Sequence, residues 1–243
     1  MPLFFAPNLK ANSTEFIIQG QEFKHIVKSM RKEIGDKIRI TNGGGTLFTG
    51  EITSINETKL HIKIITQERI DKSKPRISLA FSLLKKQNKL IIEKCSELGI
   101  FEFYPFVSSR TVKKNFSEKL RSKLERVAIA AMKQSGSVYL PQVNPISGFT
   151  DLLTIINQNY KPILAWENNK SHFLDEALAE TQTDVCLIIG PEGGFTAEEI
   201  TYSKNFSAEI VSLGNHVLRA ETAAIASAAN TIFYLHNNNR NYY

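Results

Sequence analysis

Two glycine-containing loops in the last third of the chain carry the residue types that a small-molecule site requires. The first, Gly190-Pro191-Glu192-Gly193-Gly194-Phe195, follows the apolar run Val185-Cys186-Leu187-Ile188-Ile189 and enters Thr196-Ala197-Glu198-Glu199, a capping-box pattern for a helix start. Paired glycines at such a point either let backbone approach a ligand closely or simply turn a strand into a helix. The loop lacks the terminal lysine and serine or threonine of the nucleotide phosphate motif, and Glu192 would repel a polyphosphate. A ligand with amide and hydroxyl groups and a positive centre suits it better. The second loop, Leu213-Gly214-Asn215-His216-Val217-Leu218, leads into Arg219-Ala220-Glu221-Thr222. Arg219 and Glu221 stand beside that loop at the start of a helix, either as an exposed pair or as charges put to use, since a buried charge is costly unless paired.

The elements that must position these loops follow from hydrophobic periodicity. After Pro75 the chain alternates strands (76–83, 102–107, 162–166, 184–189, 208–212) with helices (88–98, 117–134, 148–158, 171–180, 197–204, 219–235). This order predicts an α/β domain built on a mostly parallel sheet with both faces covered. Both loops then lie just beyond a strand's carboxyl end, where such sheets bind ligands. Ala223, Ala224, Ala226, Ser227, Ala228 and Ala229 mark the last helix as one that packs closely, inside the domain or against a second copy, or as one in which alanine merely favours helix. Before Pro75 a helix at 21–30 precedes β-rich runs at 37–41, 46–55 and 59–66, the first two joined by Asn42-Gly43-Gly44-Gly45, a hairpin signature. Residues 1–72 read as a small β-barrel domain and 73–243 as the α/β domain, with 71–75 as linker and 236–243 as a frayed tail.

Composition narrows the function classes. No run approaches the length of a membrane span, and the first residues lack a secretory pattern. Cys95 and Cys186 form neither a disulfide framework nor a zinc spacing, and the histidines are scattered. A cytoplasmic protein without metal or membrane partner is expected. Residues 1–74 carry 12 basic and 8 acidic side chains, 75–135 carry 13 and 5, and 136–243 carry 5 and 11. A basic first half joined to an acidic remainder points to a polyanion gripped by the first part, unless the lysines are only a solvated surface.

Taken in order, the glycine loop 190–195, Leu213-Gly214 and Leu218-Arg219-Ala220-Glu221-Thr222-Ala223 resemble the ribosomal RNA small subunit methyltransferase E family. So do His25-Ile26-Val27-Lys28-Ser29-Met30-Arg31, Leu84-Lys85, Lys89, Lys94, Glu97-Leu98-Gly99, Ser109-Arg110-Thr111-Val112, Arg126, Gln134-Ser135-Gly136 and Pro141. Asn215, His216, Lys133 and Ser137 depart from the family's usual residues.

The resemblance implies a PUA-like β-barrel followed by a SPOUT-type α/β domain with a trefoil knot, acting as a homodimer. It further implies transfer of a methyl group from S-adenosylmethionine to N3 of a uridine in 16S rRNA of the small ribosomal subunit. The sulfonium of that cofactor is a positive centre of the kind the first loop suits. Cofactor residues would be Leu164, Ala165 and Glu167, then Gly190, Pro191, Glu192, Gly193 and Gly194, then Leu213, Gly214, Val217 and Leu218. Arg219 would stabilise the developing uridine anion, with Glu221 or Thr222 orienting it or the cofactor. Lys24, His25, Lys28, Arg31, Lys85, Lys89, Arg110 and Gln134 would contact RNA. Two alternatives stay open: a related methyltransferase of another rRNA or tRNA nucleotide, and a non-catalytic RNA-binding assembly factor.

Overall fold

A computed structural model describes residues 2–112, 117–179, 181 and 183–238. They fall into two compact units, one of residues 1–72 with 132–140, the other of residues 73–131 with 141–243. Glu180 and the tail residues 239–243 lie outside the described residues.

The first unit is a five-stranded mixed sheet. Its strands are β1 (Leu3–Phe5), β2 (Glu15–Gln19), β3 (Lys37–Thr41), β4 (Thr46–Ile55) and β5 (Lys59–Arg69), in the order β1-β3-β4-β5-β2. Alternation along β3 and β4 turns Ile38, Ile40, Phe48 and Ile52 into one core with Leu60 and Ile62 of β5. Register shifts in the β4–β5 pair lie on either side of Gly50 and Glu51 and bend it, and a β-carbon at Gly50 would strike Ile62. The helix expected over 21–30 is shorter: α1 (Gly20–Lys24) passes into a π-helical turn at His25–Ser29 and ends at Arg31 in the left-handed region, φ +52°. Met132–Leu140 belongs to this unit because its backbone completes it. Val138 O accepts from Thr41 Oγ1 and from Gly45 N–H, each at 3.0 Å, and Tyr139 Oη donates to Ile70 O at 2.6 Å. A β-carbon at Gly45 (φ +96°) would collide with the Tyr139 ring, so this glycine makes room for tertiary packing as well as for the turn.

The second unit is a parallel sheet. Its strands are β6 (Ile77–Ser82), β7 (Glu102–Val107), the short β8 (Gln142–Val143) and β9 (Ser147–Gly148), β10 (Lys161–Ala165), β11 (Val185–Ile189) and β12 (Glu209–Val211). The order is β12-β10-β11-β6-β7-β8, with β9 on β7. β6 and β11 are buried at every position, as strands covered on both faces must be. The helices are α2 (Asn88–Leu98), α3 (Glu118–Ser135), whose residues up to Ala131 belong to this unit, α4 (Phe149–Asn157), α5 (Leu174–Ala179), α6 (Ala197–Lys204) and α7 (Ala220–Asn238). The alanines of α7 serve packing within the unit: Ala224 and Ala228 are fully buried, and Cys95 of α2 approaches the Ala224 carbonyl with its sulfur at 3.8 Å. At the amino ends of β6 and β11, Asp184 takes the Arg76 N–H at 2.7 Å and its guanidinium at 2.6 Å.

Candidate active site

A cavity of about 610 Å3 opens at the carboxyl ends of four adjacent strands, β12, β10, β11 and β6. Each strand delivers one loop to it: 213–218 after β12, 165–167 after β10, 190–195 after β11 and 85–87 after β6. The volume falls within the roughly 300–1,000 Å3 of small-molecule sites.

The loop after β11 is braced on every side. Phe195 folds back over Gly190 and is buried against Phe106 and Phe149, with ring centroids 6.3 and 5.3 Å away. Thr196 starts α6 with a complete capping box: Glu199 N–H donates to Thr196 Oγ1 at 3.2 Å, and Thr196 N–H to Glu199 Oε2 at 2.9 Å. The other Glu199 oxygen accepts from Ser109 N–H at 2.8 Å, which ties the segment after β7 to the same helix start. From that segment Arg110 donates through Nη1 to the carbonyls of Gly193 (2.9 Å) and Phe195 (3.3 Å). Thr111 anchors the segment in turn through Ser82 at 2.7 Å and Ser108 N–H at 2.8 Å.

The paired glycines make room for protein. A β-carbon at Gly193 would press on Arg110, and one at Gly194, where φ is +67°, would collide with the Glu167 carboxylate. Glu192 Oε1 accepts the Lys85 N–H at 2.9 Å, which joins the loops after β11 and β6.

Of the residues the sequence singles out for cofactor, Ala165, Glu167, Gly190, Pro191, Glu192, Gly194, Leu213, Gly214, Val217 and Leu218 line the cavity. Leu164 is wholly buried in the sheet, and Gly193 faces Arg110 outside the lining. Arg219 and Glu221 are on the wall, whereas Thr222 stands exposed on α7 beyond it. Lys85 is the one RNA candidate in the lining. Lys89 is exposed on α2, and the Arg110 guanidinium is committed to the glycine loop. In the first unit Lys24, Lys28, Arg31 and Gln134 are exposed, and His25 lies edge-on to Phe4 with centroids 5.7 Å apart.

Lys86, Gln87 and Ser212 line the cavity without a signal in the motifs, whereas His216 sits in the second glycine loop and Trp166 between the expected Ala165 and Glu167. The end of an apolar strand at Leu84 was the available clue to Lys86 and Gln87, since ligands bind beyond such ends. Trp166 Nε1 is buried without a hydrogen-bond partner. Among the described residues no group of side chains is arranged to hold a metal, and no helix is long and apolar enough to cross a membrane.

Comparison with known proteins defines the class. Residues 71–232 match the family model of the RNA methyltransferase domain, and residues 18–65 match the RNA methyltransferase PUA domain. The chain is 30% identical over 221 residues to ribosomal RNA small subunit methyltransferase E of Bacillus subtilis, covering 86% of each chain. Its counterpart in Rickettsia conorii is 26% identical over 222 residues, 90% of each chain. The chain belongs to the ribosomal RNA small subunit methyltransferase E family and is an rRNA methyltransferase. The fold is shared with the enzyme of that name from Neisseria gonorrhoeae, whose crystal structure is bound to S-adenosyl methionine. That likeness has a TM-score of 0.83 at 24% identity, over 95% of this chain and 96% of that one.

Proposed function

We propose that this chain methylates N3 of a uridine in 16S rRNA of the small ribosomal subunit, with S-adenosylmethionine as the methyl source, in the cytoplasm and as a homodimer. The reading assigns 1–72 to a PUA-like RNA-binding domain and 73–243 to a SPOUT domain with a trefoil knot. The observation that carries it is one cavity at four strand ends with Arg219 on its wall. The lining fits the cofactor: Ile189, Leu213, Val217 and Leu218 offer an apolar surface to a purine, Trp166 an unpartnered indole N–H, and Glu167 and Glu221 carboxylates to a cation. When bound, S-adenosylmethionine supplies an electrophilic methyl group on a sulfonium.

The chain's own residues then have three tasks. Glu192, Arg110 and the Thr196 cap hold the glycine loop in its ligand-ready form. Arg219 stabilises the negative charge that spreads over the uracil oxygens as N3 loses its proton. Lys24, Lys28 and Arg31 neutralise phosphates. Mapping of modified nucleotides in 16S rRNA from cells with and without the gene tests the reading. The expected result is one N3-methyluridine that disappears with the gene; an unchanged modification map overturns it. Calorimetric titration with S-adenosylmethionine separates an enzyme from a non-catalytic assembly factor, which would show no binding at millimolar ligand.

A further inference from the structure

Lys133 is one of the positions at which this chain departs from its family's usual residues, and in the structure it has a definite partner. It lies near the end of α3, in the part that belongs to the first unit, and its ammonium meets the Glu22 carboxylate of α1 at 2.5 Å across 111 positions of sequence. The pair is largely shielded from water, with side chains 19% and 22% exposed. Lys133 is also the one donor this carboxylate has among the described residues, since Glu22 Oε2 is buried without a hydrogen-bond partner. Removing one member of such a pair leaves a partly buried charge with neither water nor partner to offset it.

The segment that carries Glu22 is too short to hold its shape alone. α1 has five residues and continues into the π-helical turn at His25–Ser29, and a helix of this length is not stable in water by itself. Lys24 and Lys28, four residues apart, repel each other, and Arg31 closes the segment at φ +52°, in the left-handed region that a side chain disfavours. All three cations are exposed and make no ion pair among the described residues. Against these costs stand the inward contacts: Phe23 and Ile26 enter the first core, and Glu22 takes Lys133. Hydrophobic burial is non-directional and settles only which face turns inward. The ion pair has a geometry, and fixes where α1 sits against the end of α3.

We infer that the Lys133–Glu22 ion pair tethers the basic segment 24–31 in the form that grips RNA, which makes Lys133 a positioning residue for the substrate and not a phosphate contact. Its charge is committed to Glu22, so the cations left free for a polyanion are the three that the tethered segment presents. The inference rests on the reading above that Lys24, Lys28 and Arg31 neutralise phosphates. Here the tether and plain electrostatics have opposite signs. Loss of Glu22 removes a negative charge and frees a lysine, which by charge alone strengthens binding to a polyanion. Loss of a tether weakens it.

The test is filter binding of the full chain to 16S rRNA at several salt concentrations, with calorimetric titration of S-adenosylmethionine alongside. The variants are Glu22→Ala, Glu22→Gln and the reversed pair, Glu22→Lys with Lys133→Glu. Glu22→Ala is expected to weaken RNA binding about five- to tenfold and to shrink the salt slope, as phosphate contacts are lost. Glu22→Gln keeps an acceptor oxygen and the shape of the side chain; it should weaken binding about threefold, and it carries the same sign if Glu22→Ala folds poorly. The reversed pair should return the affinity to within about twofold of the parent, and cofactor affinity should stay within about twofold throughout. In a Lys28→Ala, Arg31→Ala background Glu22→Ala should have little further effect, because the contacts it positions are already gone. Unchanged or tighter RNA binding in Glu22→Ala and Glu22→Gln overturns the tether, as does a reversed pair no better than the single variants; the segment remains the grip if the Lys28→Ala, Arg31→Ala variant binds weakly. Parental RNA affinity in that variant overturns the grip and the tether together.

Discussion

Gly194 and Glu167 occupy each other's space: a β-carbon on Gly194 would overlap the Glu167 carboxylate, and the backbone there has φ +67°. The Glu167 carboxylate is the exposed end of a flexible side chain and can swing aside, so the left-handed backbone is the larger demand for glycine here. Gly194→Ala is expected to cost about 1–2 kcal/mol, from backbone strain. Replacing Glu167 by alanine as well should return little of that cost, so urea unfolding of the two single variants and the double variant should be close to additive. A large coupling would make the collision, and not the backbone, the dominant constraint.

Arg110 is expected to act on the loop and not on RNA. Its guanidinium holds two carbonyls of the 193–195 segment. Arg110→Ala should weaken S-adenosylmethionine binding three- to tenfold, the scale of an exposed charged hydrogen bond of about 1 kcal/mol. RNA affinity should change by less than about twofold. Calorimetry with the cofactor and filter binding with rRNA check both, and the reverse pattern would return Arg110 to the RNA surface.

RNA grip and chemistry should separate by variant. Lys28 and Arg31 are exposed on the first unit, and changing both to alanine should weaken RNA binding. The salt slope should shrink by roughly one or two units, with cofactor affinity unchanged. Arg219→Ala should bind RNA almost normally and lose methyl transfer by about a hundredfold or more. A double variant with the parent's affinity and slope would shift the grip to the basic segment 75–135.

A dimer is expected from the family and from exposed apolar side chains on the second unit, among them Phe233 of α7 at 72% exposure. Sedimentation equilibrium should return about twice the 27.4 kDa chain mass. A fully active monomer at micromolar concentration would remove the dimer from the reading, and Phe233→Ser should weaken association if α7 lies at the contact.

Alkaline pH should expose the two buried thiols. Burial pushes Cys95 up to about 12 and raises Cys186 as well, whereas an unfolded cysteine ionises near about 8.5. Both folded values are raised, so the stability they contribute is complete below about pH 8.5 and is lost as pH rises toward the folded values. The slope should be about 1.4 kcal/mol per thiol per pH unit above that point. Urea midpoints at pH 8 and 10 should show it, and Cys95→Ala should remove about half. Thiol reagents at pH 8 should find no reactive cysteine until urea is added.

Periodicity and turn chemistry, which act over a few residues, were enough to place most of the elements and the two glycine loops. Thr196 and Glu199 cap α6 through contacts three residues apart, so the pattern alone predicts the bonds. The alternating residues of β3 and β4 likewise specify which side chains enter the first core. The π-helical turn at His25–Ser29 and the short β1 and β2 were not legible, because their geometry depends on neighbours and not on spacing. The site was divided in the same way. Loops that begin at a strand end and carry glycine announced themselves, whereas Lys86 and Gln87 entered the cavity because parallel register set β6 beside β11. That register aligns Phe81 with Ile189 and brings the Lys85 amide to Glu192 across 107 positions. Tertiary packing alone decided, too, that Val138 and Tyr139 complete the first unit and that the glycines at 193 and 194 accommodate Arg110 and Glu167. A sequence encodes the face each residue presents; which faces meet is settled by long-range contacts, whose partners local pattern does not name.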